Sequence, residues 1–190
     1  MTDIEYIELG KVLNEFGLEV VEAAQRELGT TQTIGGRKVR RVASGNLKQS
    51  LNHKVYVRKG KMRVEFGAKG TAGNYGIYVH EGVNGTRVNH GSPFSFKSQM
   101  VNIGAIERWI AVKPIRLRKT IINKNGQRVS QFIANTEENK RSAAIAIAKS
   151  VARKGIAPLP FYRLAIDNTY QKYEKRIADA VAIDSIKIFE

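Results

Sequence analysis

The sequence predicts an α+β protein in which a small antiparallel sheet packs against N-terminal and C-terminal helices, with a projecting β-hairpin and long loops. Two observations carry most of this. Apolar residues recur three or four apart near both ends, whereas the middle of the chain switches twice to a period of two. Turn signals, Lys59-Gly60 and Asn125-Gly126, lie between the paired alternating runs.

The first element is a helix whose apolar face is Leu9, Leu13, Phe16, Val20, Ala24 and Leu28. Thr2-x-x-Glu5 reads as a capping box at its start, and Gly29 as a left-handed stop at its end. Gly17, inside the pattern, costs about 1 kcal/mol relative to Ala. From Thr30 to Val42 the chain is polar and basic, with Gly35-Gly36 followed by Arg37, Lys38, Arg40 and Arg41. It shows no apolar periodicity and is expected to order only against a partner, because it buries too little to offset its backbone entropy.

Ser44 is placed to cap a short helix carrying Leu47 and Leu51. Val55 and Val57, then Met62, Val64 and Phe66 across the Lys59-Gly60 turn, predict a hairpin with one face inward. Residues 67 to 98 are rich in Gly, Asn, Ser and Thr, and Tyr75-Gly76-Ile77-Tyr78-Val79 reads as one more short strand between long loops. A helix is expected over Gln99 to Val112, with Ile103, Ile106 and Ile110 on one face and Trp109 beside it, ended by Lys113-Pro114.

Ile115 to Ile122 and Arg128 to Ala134 form a second predicted hairpin, joined through Lys124-Asn125-Gly126-Gln127 as a two-residue turn with positive φ at both centres. Thr136 caps the next helix, with Glu137 and Glu138 in its first turn and Lys149, Arg153 and Lys154 at its end, as the helix dipole favours. Its apolar face is Ala144, Ile147, Ala148 and Val151, and Gly155 closes it. After Pro158 and Pro160 a final helix is marked by Phe161, Leu164, Ala165, Tyr173, Ile177 and Val181, and Ile183, Ile186 and Ile188 form an apolar tail. The whole is read as one domain, 1–190, divided into an N-terminal helix (1–29), a basic connector (30–43), a core (44–112 and 136–181), a hairpin (113–135) and a tail (182–190).

A chain of 190 residues buries roughly 70% of its unfolded surface, so it folds without staples. It has no cysteine, which excludes disulfides and thiolate chemistry, and no run approaches the roughly 18 apolar residues of a membrane span. The acidic start Met1-Thr2-Asp3-Ile4-Glu5 is unlike a signal peptide, and a soluble cytoplasmic product is expected. Charge is uneven: residues 29 to 136 hold 20 Lys/Arg against Glu65, Glu81 and Glu107, a formal +17 within a total of +15. Such a field implies a polyanionic neighbour, nucleic acid or an acidic protein surface.

Residues for chemistry are sparse. His53, His80 and His90 share no helical spacing, and His80, Glu81 and His90 match no common metal-ligand pattern. Aspartate occurs only at Asp3, Asp167, Asp179 and Asp184, so the basic region lacks the clustered carboxylates of two-metal enzymes. No Gly-x-Ser-x-Gly elbow is present, and the glycine run from Gly67 to Gly76 has neither the register nor the Gly-Lys-Ser/Thr ending of a phosphate loop. Asn84-Gly85-Thr86 is formally a glycosylation sequon and reads as a turn. Tyr56, Tyr75, Tyr78, Phe94 and Phe96 stand among the charges and are expected mainly in the core, although aromatics in basic surroundings also stack bases. No catalytic residue, metal site or cofactor is expected.

Three stretches carry a resemblance. Ser44-Gly45-Asn46-Leu47-Lys48-Gln49-Ser50-Leu51 leads into a strand, Tyr75-Gly76-Ile77-Tyr78-Val79-His80-Glu81-Gly82 follows, and after Ile106-x-x-Trp109 and the Ala143 to Val151 helix comes Gly155-Ile156-Ala157-Pro158-Leu159-Pro160-Phe161. In this order they resemble the gene-product-ten-like family of tailed-phage neck and tail-completion proteins. Thr86 arrives late against the family pattern because Val83-Asn84-Gly85 intervene, and the 115–134 hairpin is an added feature. The resemblance implies helices on a small antiparallel sheet and a structural virion protein that assembles as a homo-oligomeric ring between the portal-side connector and the tail. The partner-binding residues expected are Arg37, Lys38, Arg40 and Arg41 of the connector and Arg116, Arg118, Lys119, Lys124 and Arg128 of the hairpin, with Tyr78 and Phe161 holding the core beneath. The alternative is a non-enzymatic basic DNA-binding protein, and contact with phage DNA is compatible with either.

Overall fold

The computed structural model describes residues 6–34, 37–40, 45–58, 61–97, 101–112 and 116–186, with residues 31–34, 37–40, 57 and 58 described by their backbone. It is an α+β structure whose strands form four separate two-stranded antiparallel ribbons among the described residues. Where the sequence reading takes one domain, the chain gathers into two compact units, Met1–His80 with Leu159–Glu190, and Glu81–Pro158.

The first unit is organised by its two longest helices, α1 (Ile7–Gly29) and α6 (Phe161–Ile186). The apolar stripe of α1 buries Leu9, Phe16, Val20, Val21, Ala24 and Leu28, and packs on α6 and on the hairpin β3 (Leu51–Arg58) and β4 (Lys61–Ala68). That hairpin has the register its alternation predicts, His53 opposite Phe66, Val55 opposite Val64 and Val57 opposite Met62. Aromatic rings run through the core: Phe16 lies 5.5 Å from Tyr173 and 6.2 Å from Phe66, Phe66 5.4 Å from Tyr162, and Tyr162 5.0 Å from Phe161. Each such pair adds about 0.5–1.5 kcal/mol beyond its buried area.

Gly17 has a structural reason. The His53 ring of β3 lies against it, where any Cβ would overlap the imidazole. The helix accepts the propensity cost of glycine in return for close approach of the strand. At the N-terminus of α1 the Asp184 carboxylate of α6, itself buried, accepts hydrogen bonds from the amides of Glu8 (3.1 Å) and Leu9 (2.8 Å). The expected Thr2-x-x-Glu5 box lies outside the described residues. At the other end the helix stops through Thr30, which turns to extended backbone (φ −74°) and donates to the carbonyls of Arg26 and Glu27. Gly29 is therefore the last helical residue and not a left-handed stop.

Three other expectations for this unit are corrected. The connector pairs with itself as β1 (Thr31–Ile34) and β2 (Arg37–Arg40), Ile34 opposite Arg37. A two-residue link and β-branched Thr31, Thr33, Ile34 and Val39 favour a backbone ladder that needs no buried face. Tyr75–Val79 is not a strand but part of a helix, α3 (Gly73–His80), entered from a short 3₁₀ turn. Its one buried residue is Gly76, which lies against Leu47, with Val79 half-buried beside it and Ala72 buried in the preceding turn, while Tyr75, Ile77 and Tyr78 are exposed. Tyr78 thus holds no core, whereas Phe161 does. The expected apolar tail is helical through Ile186, because burial of Ala180 and Asp184 four residues apart continues the face of α6. Ile183 and Ile186 point outward, and Ile188 lies outside the described residues.

Ser44, the expected cap, also lies outside the described residues. The short helix α2 (Asn46–Ser50) opens from Gly45 with φ +84° and buries Leu47, and Leu51 begins β3. Leu164 and Val181 of α6 are exposed, so the last helix presents a narrower apolar face than its composition suggests.

The second unit contains α4 (Ile103–Val112), which packs on α5 (Glu137–Lys154), and the hairpin β6 (Arg118–Ile122) and β7 (Arg128–Phe132). Thr136 caps α5 by accepting from the Asn139 amide, as its sequence predicts. The buried stripe of α5 is Ala144, Ala148 and Ala152, small residues that let a neighbouring helix approach, with Ile147 and Val151 half-buried. Gly155 closes the helix with φ +74° and enters β8 (Gly155–Ile156), which pairs with β5 (Val83–Asn84). Val83 O and Gly85 N crowd Gly155, so both backbone sign and space demand glycine there.

Candidate functional site

Two basic surfaces occur in the second unit, which carries 14 Lys/Arg against four acids, a formal +10. The first is the predicted hairpin. Arg118 lies opposite Phe132, Thr120 opposite Ser130 and Ile122 opposite Arg128 on one face, while Lys119 faces Gln131 and Ile121 faces Val129 on the other. Every residue of both strands is exposed. The Arg118 guanidinium stands 4.2 Å from the centre of the Phe132 ring and that of Arg116 stands 5.9 Å away, so one aromatic ring gathers two cations. Ile122 is 70% and Phe132 52% exposed, large apolar area for a surface ribbon.

The turn differs from the two-residue form. Asn123 anchors it, its amide donating to Gln127 O and its side-chain oxygen accepting from the amides of Asn125 and Gln127. Gly126 supplies the positive φ, +75°. Lys124 sits in this turn, beyond the strands. Arg116, Arg118, Lys119, Lys124 and Arg128 make no ion pair among the described residues. Arg37, Lys38 and Arg40 lie on β2 in the first unit, their side chains outside the described set, and Arg41 lies outside the described residues altogether.

The second surface is one that the sequence reading does not single out. Lys149, Ser150 and Arg153 of α5, with Ala146, share one helical face, and Arg87, Val88 and Lys154 complete an open groove of about 510 Å³. The loop that brings Arg87 there is tied down by Asn84, whose side chain makes four hydrogen bonds. Its oxygen accepts from the amides of His90 (2.8 Å) and Ser92 (3.2 Å), and its nitrogen donates to Ser92 O (2.6 Å) and Ser95 Oγ (3.2 Å). Asn84 is therefore the hub of an ordered loop rather than a simple turn residue. The last carbonyls of α5 are satisfied by the same loop: Thr86 N donates to Ala152 O, Arg87 N to Arg153 O, and His90 Nε2 lies 2.8 Å from Lys154 O. The one signal in the sequence is the spacing Lys149, Arg153, Lys154, which sequence alone assigns to the helix dipole.

The first unit holds an apolar cleft of about 420 Å³ lined by residues including Leu47, Leu51, Phe66, Gly76, Phe161 and Tyr162. At its edge the Tyr162 hydroxyl reaches the carbonyls of Asn52 (3.1 Å) and Gly67 (2.5 Å), and burial pushes its pKa up to about 12. Glu65 pairs with Arg63 and Glu107 with Arg141, and no group of three or more potential metal ligands occurs among the described residues. His80 stands edge-on to Phe161 at 5.0 Å. Tyr56, Tyr75 and Tyr78, expected in the core, are exposed, and Arg63 stacks 5.2 Å from the Tyr56 ring. No helix among the described residues is long and apolar enough to cross a membrane. Compared with known proteins, the chain matches no family model, no curated protein and no solved structure.

Proposed function

We propose that this chain is a structural protein of the tailed-phage neck, which completes the tail or joins head connector to tail by assembling as a ring. The observation that carries the reading is the convergence of the family-like stretches. Leu47 and Leu51 of the first stretch and Leu159 and Phe161 of the third share one core, Gly76 of the second lies against Leu47, and the Leu159 amide donates to Val79 O. Parts of all three stretches, far apart in sequence, thus share one packing unit, while Ile106, Trp109 and the Ala143 to Val151 helix of the third lie in the other. Gly82 and Pro158, from the second and third stretches, are likewise in close backbone approach in the other unit.

The hairpin supports a docking role. A lone two-stranded ribbon is marginally stable in water, and one that exposes isoleucine, phenylalanine and arginine has the composition of an interface waiting for its partner. Its five cations without an acid between residues 116 and 134 favour an acidic surface on a neighbouring subunit, connector or tail protein. Negative-stain imaging of the purified protein with its connector and tail partners tests the reading. Rings that bridge the two are expected, and a chain that stays monomeric and joins neither overturns it.

A further inference from the structure

The groove formed by Arg87, Lys149, Ser150, Arg153 and Lys154 carries more positive charge than its place in the fold uses. All four cations are exposed, and none makes an ion pair among the described residues. Basic residues often close a helix by bonding its last carbonyls, but here the carbonyls of Ala152, Arg153 and Lys154 already have Thr86, Arg87 and His90 as partners. The dipole favours cations at this end by about 0.3–1 kcal/mol each, yet Arg87 comes from a separate loop, placed by its own amide on Arg153 O and by that of Thr86 on Ala152 O, while the Asn84 side chain orders the loop residues that follow. The fold thus holds like charges together at a Coulombic cost that an anion would relieve.

We infer that this groove is a binding site for the phosphate backbone of nucleic acid. Two arginines, two lysines and a hydroxyl offer donors along a concave surface that suits a projecting chain of phosphates better than a flat acidic protein face. It contains no aromatic side chain to stack a base and no Asn or Gln to read adenine, and its cations are assigned to phosphate oxygens, which carry no sequence information. The inference stands on the groove alone and survives or fails separately from the neck assignment, since any polynucleotide passing this surface would serve.

The test is fluorescence anisotropy of a short duplex DNA with the full chain across a salt series. Replacing Arg87, Lys149, Arg153 and Lys154 together by Gln should lower the slope of log K against log salt by roughly 3 to 4, near 0.9 for each phosphate no longer neutralised. Because these side chains are exposed, the variant should keep its circular dichroism spectrum. Asn84→Ala keeps every charge but removes the four side-chain bonds that order the loop beyond Arg87, and should weaken binding at least several-fold if the built groove matters. An unchanged slope in the fourfold variant overturns the inference. So does full affinity in Asn84→Ala with a demonstrably loosened loop, which would reduce the binding to diffuse charge. A fall in slope found only when Arg116, Arg118, Lys119, Lys124 and Arg128 are changed to Gln would move the site to the hairpin, and stronger binding of polyglutamate than of DNA would assign the groove to an acidic protein; either result also overturns it.

Discussion

Asp184, two residues before the end of the last helix, accepts a 2.8 Å hydrogen bond from the amide of Leu9 at the start of the first. A second bond from Glu8 uses its other oxygen, so one buried carboxylate satisfies two amides that an isolated helix would leave unpaired. The same two helices are tied at the surface by Lys172 to Glu19 (2.6 Å) and Arg176 to Glu15 (2.5 Å). Those exposed pairs contribute little each, whereas the buried cap cannot be replaced by water.

Asp184→Ala should therefore lower stability by about 2 kcal/mol, and Asp184→Asn, which keeps one acceptor oxygen, by less. Urea denaturation of the two variants beside the parent measures the order. Equal stability of Asp184→Ala and parent would show that the interhelical cap contributes nothing.

Gly17→Ala should destabilise although alanine is the better helix former by about 1 kcal/mol, since the new methyl must displace the His53 ring. In the background of His53→Ala the same change should become neutral or stabilising. A double-mutant cycle in urea reads the coupling directly.

Burial lowers the pKa of His53 from its ordinary 6.5. The neutral ring is favoured in the folded state, so its contribution is present above pH 6.5 and is lost as pH falls through the lower folded value. Thermal melts should show a decline on acidification across that window that is shallower in His53→Gln. Parallel curves for the two proteins would remove His53 as the cause.

Tyr162→Phe removes the hydroxyl that reaches Asn52 O and Gly67 O, and should cost about 1–2 kcal/mol. Because its folded pKa is raised from 10 to about 12, its stabilisation is complete below pH 10 and disappears as pH rises toward the upper value. Ultraviolet titration of tyrosinate should show a late-ionising tyrosine that Tyr162→Phe abolishes.

Ile122→Ser with Phe132→Ser should leave stability within about 0.5 kcal/mol, since both side chains face solvent in the free protein. The pair should nevertheless abolish ring assembly if the hairpin docks. Calorimetry and sedimentation on one preparation separate the two effects.

Legibility in the sequence follows whether local pattern and burial agree. The β3–β4 hairpin is readable because alternation and turn coincide, and Thr136 and Gly155 because caps act over a single turn. The helix α3 escapes a sequence reading because its one buried residue is Gly76, so the large residues that suggest a strand, Tyr75, Ile77 and Tyr78, lie outside. The β1–β2 ribbon escapes it because a backbone ladder can form with no apolar periodicity to announce it. The hairpin cations are visible as a charge run, while the Arg87 to Lys154 groove requires a loop that bonds back onto the end of α5 through the amides of Thr86 and Arg87.

By itself the sequence determined the α+β class, the long terminal helices, both alternating hairpins and the concentration of positive charge, since each depends on periodicity, composition or near-neighbour hydrogen bonding. Only the tertiary structure decided that Asp184 caps α1, that His53 occupies the space left by Gly17, and that Arg87 joins Lys149, Arg153 and Lys154. Each of these joins residues at least 36 positions apart, and such pairings are set by how elements pack, which no short window of residues encodes.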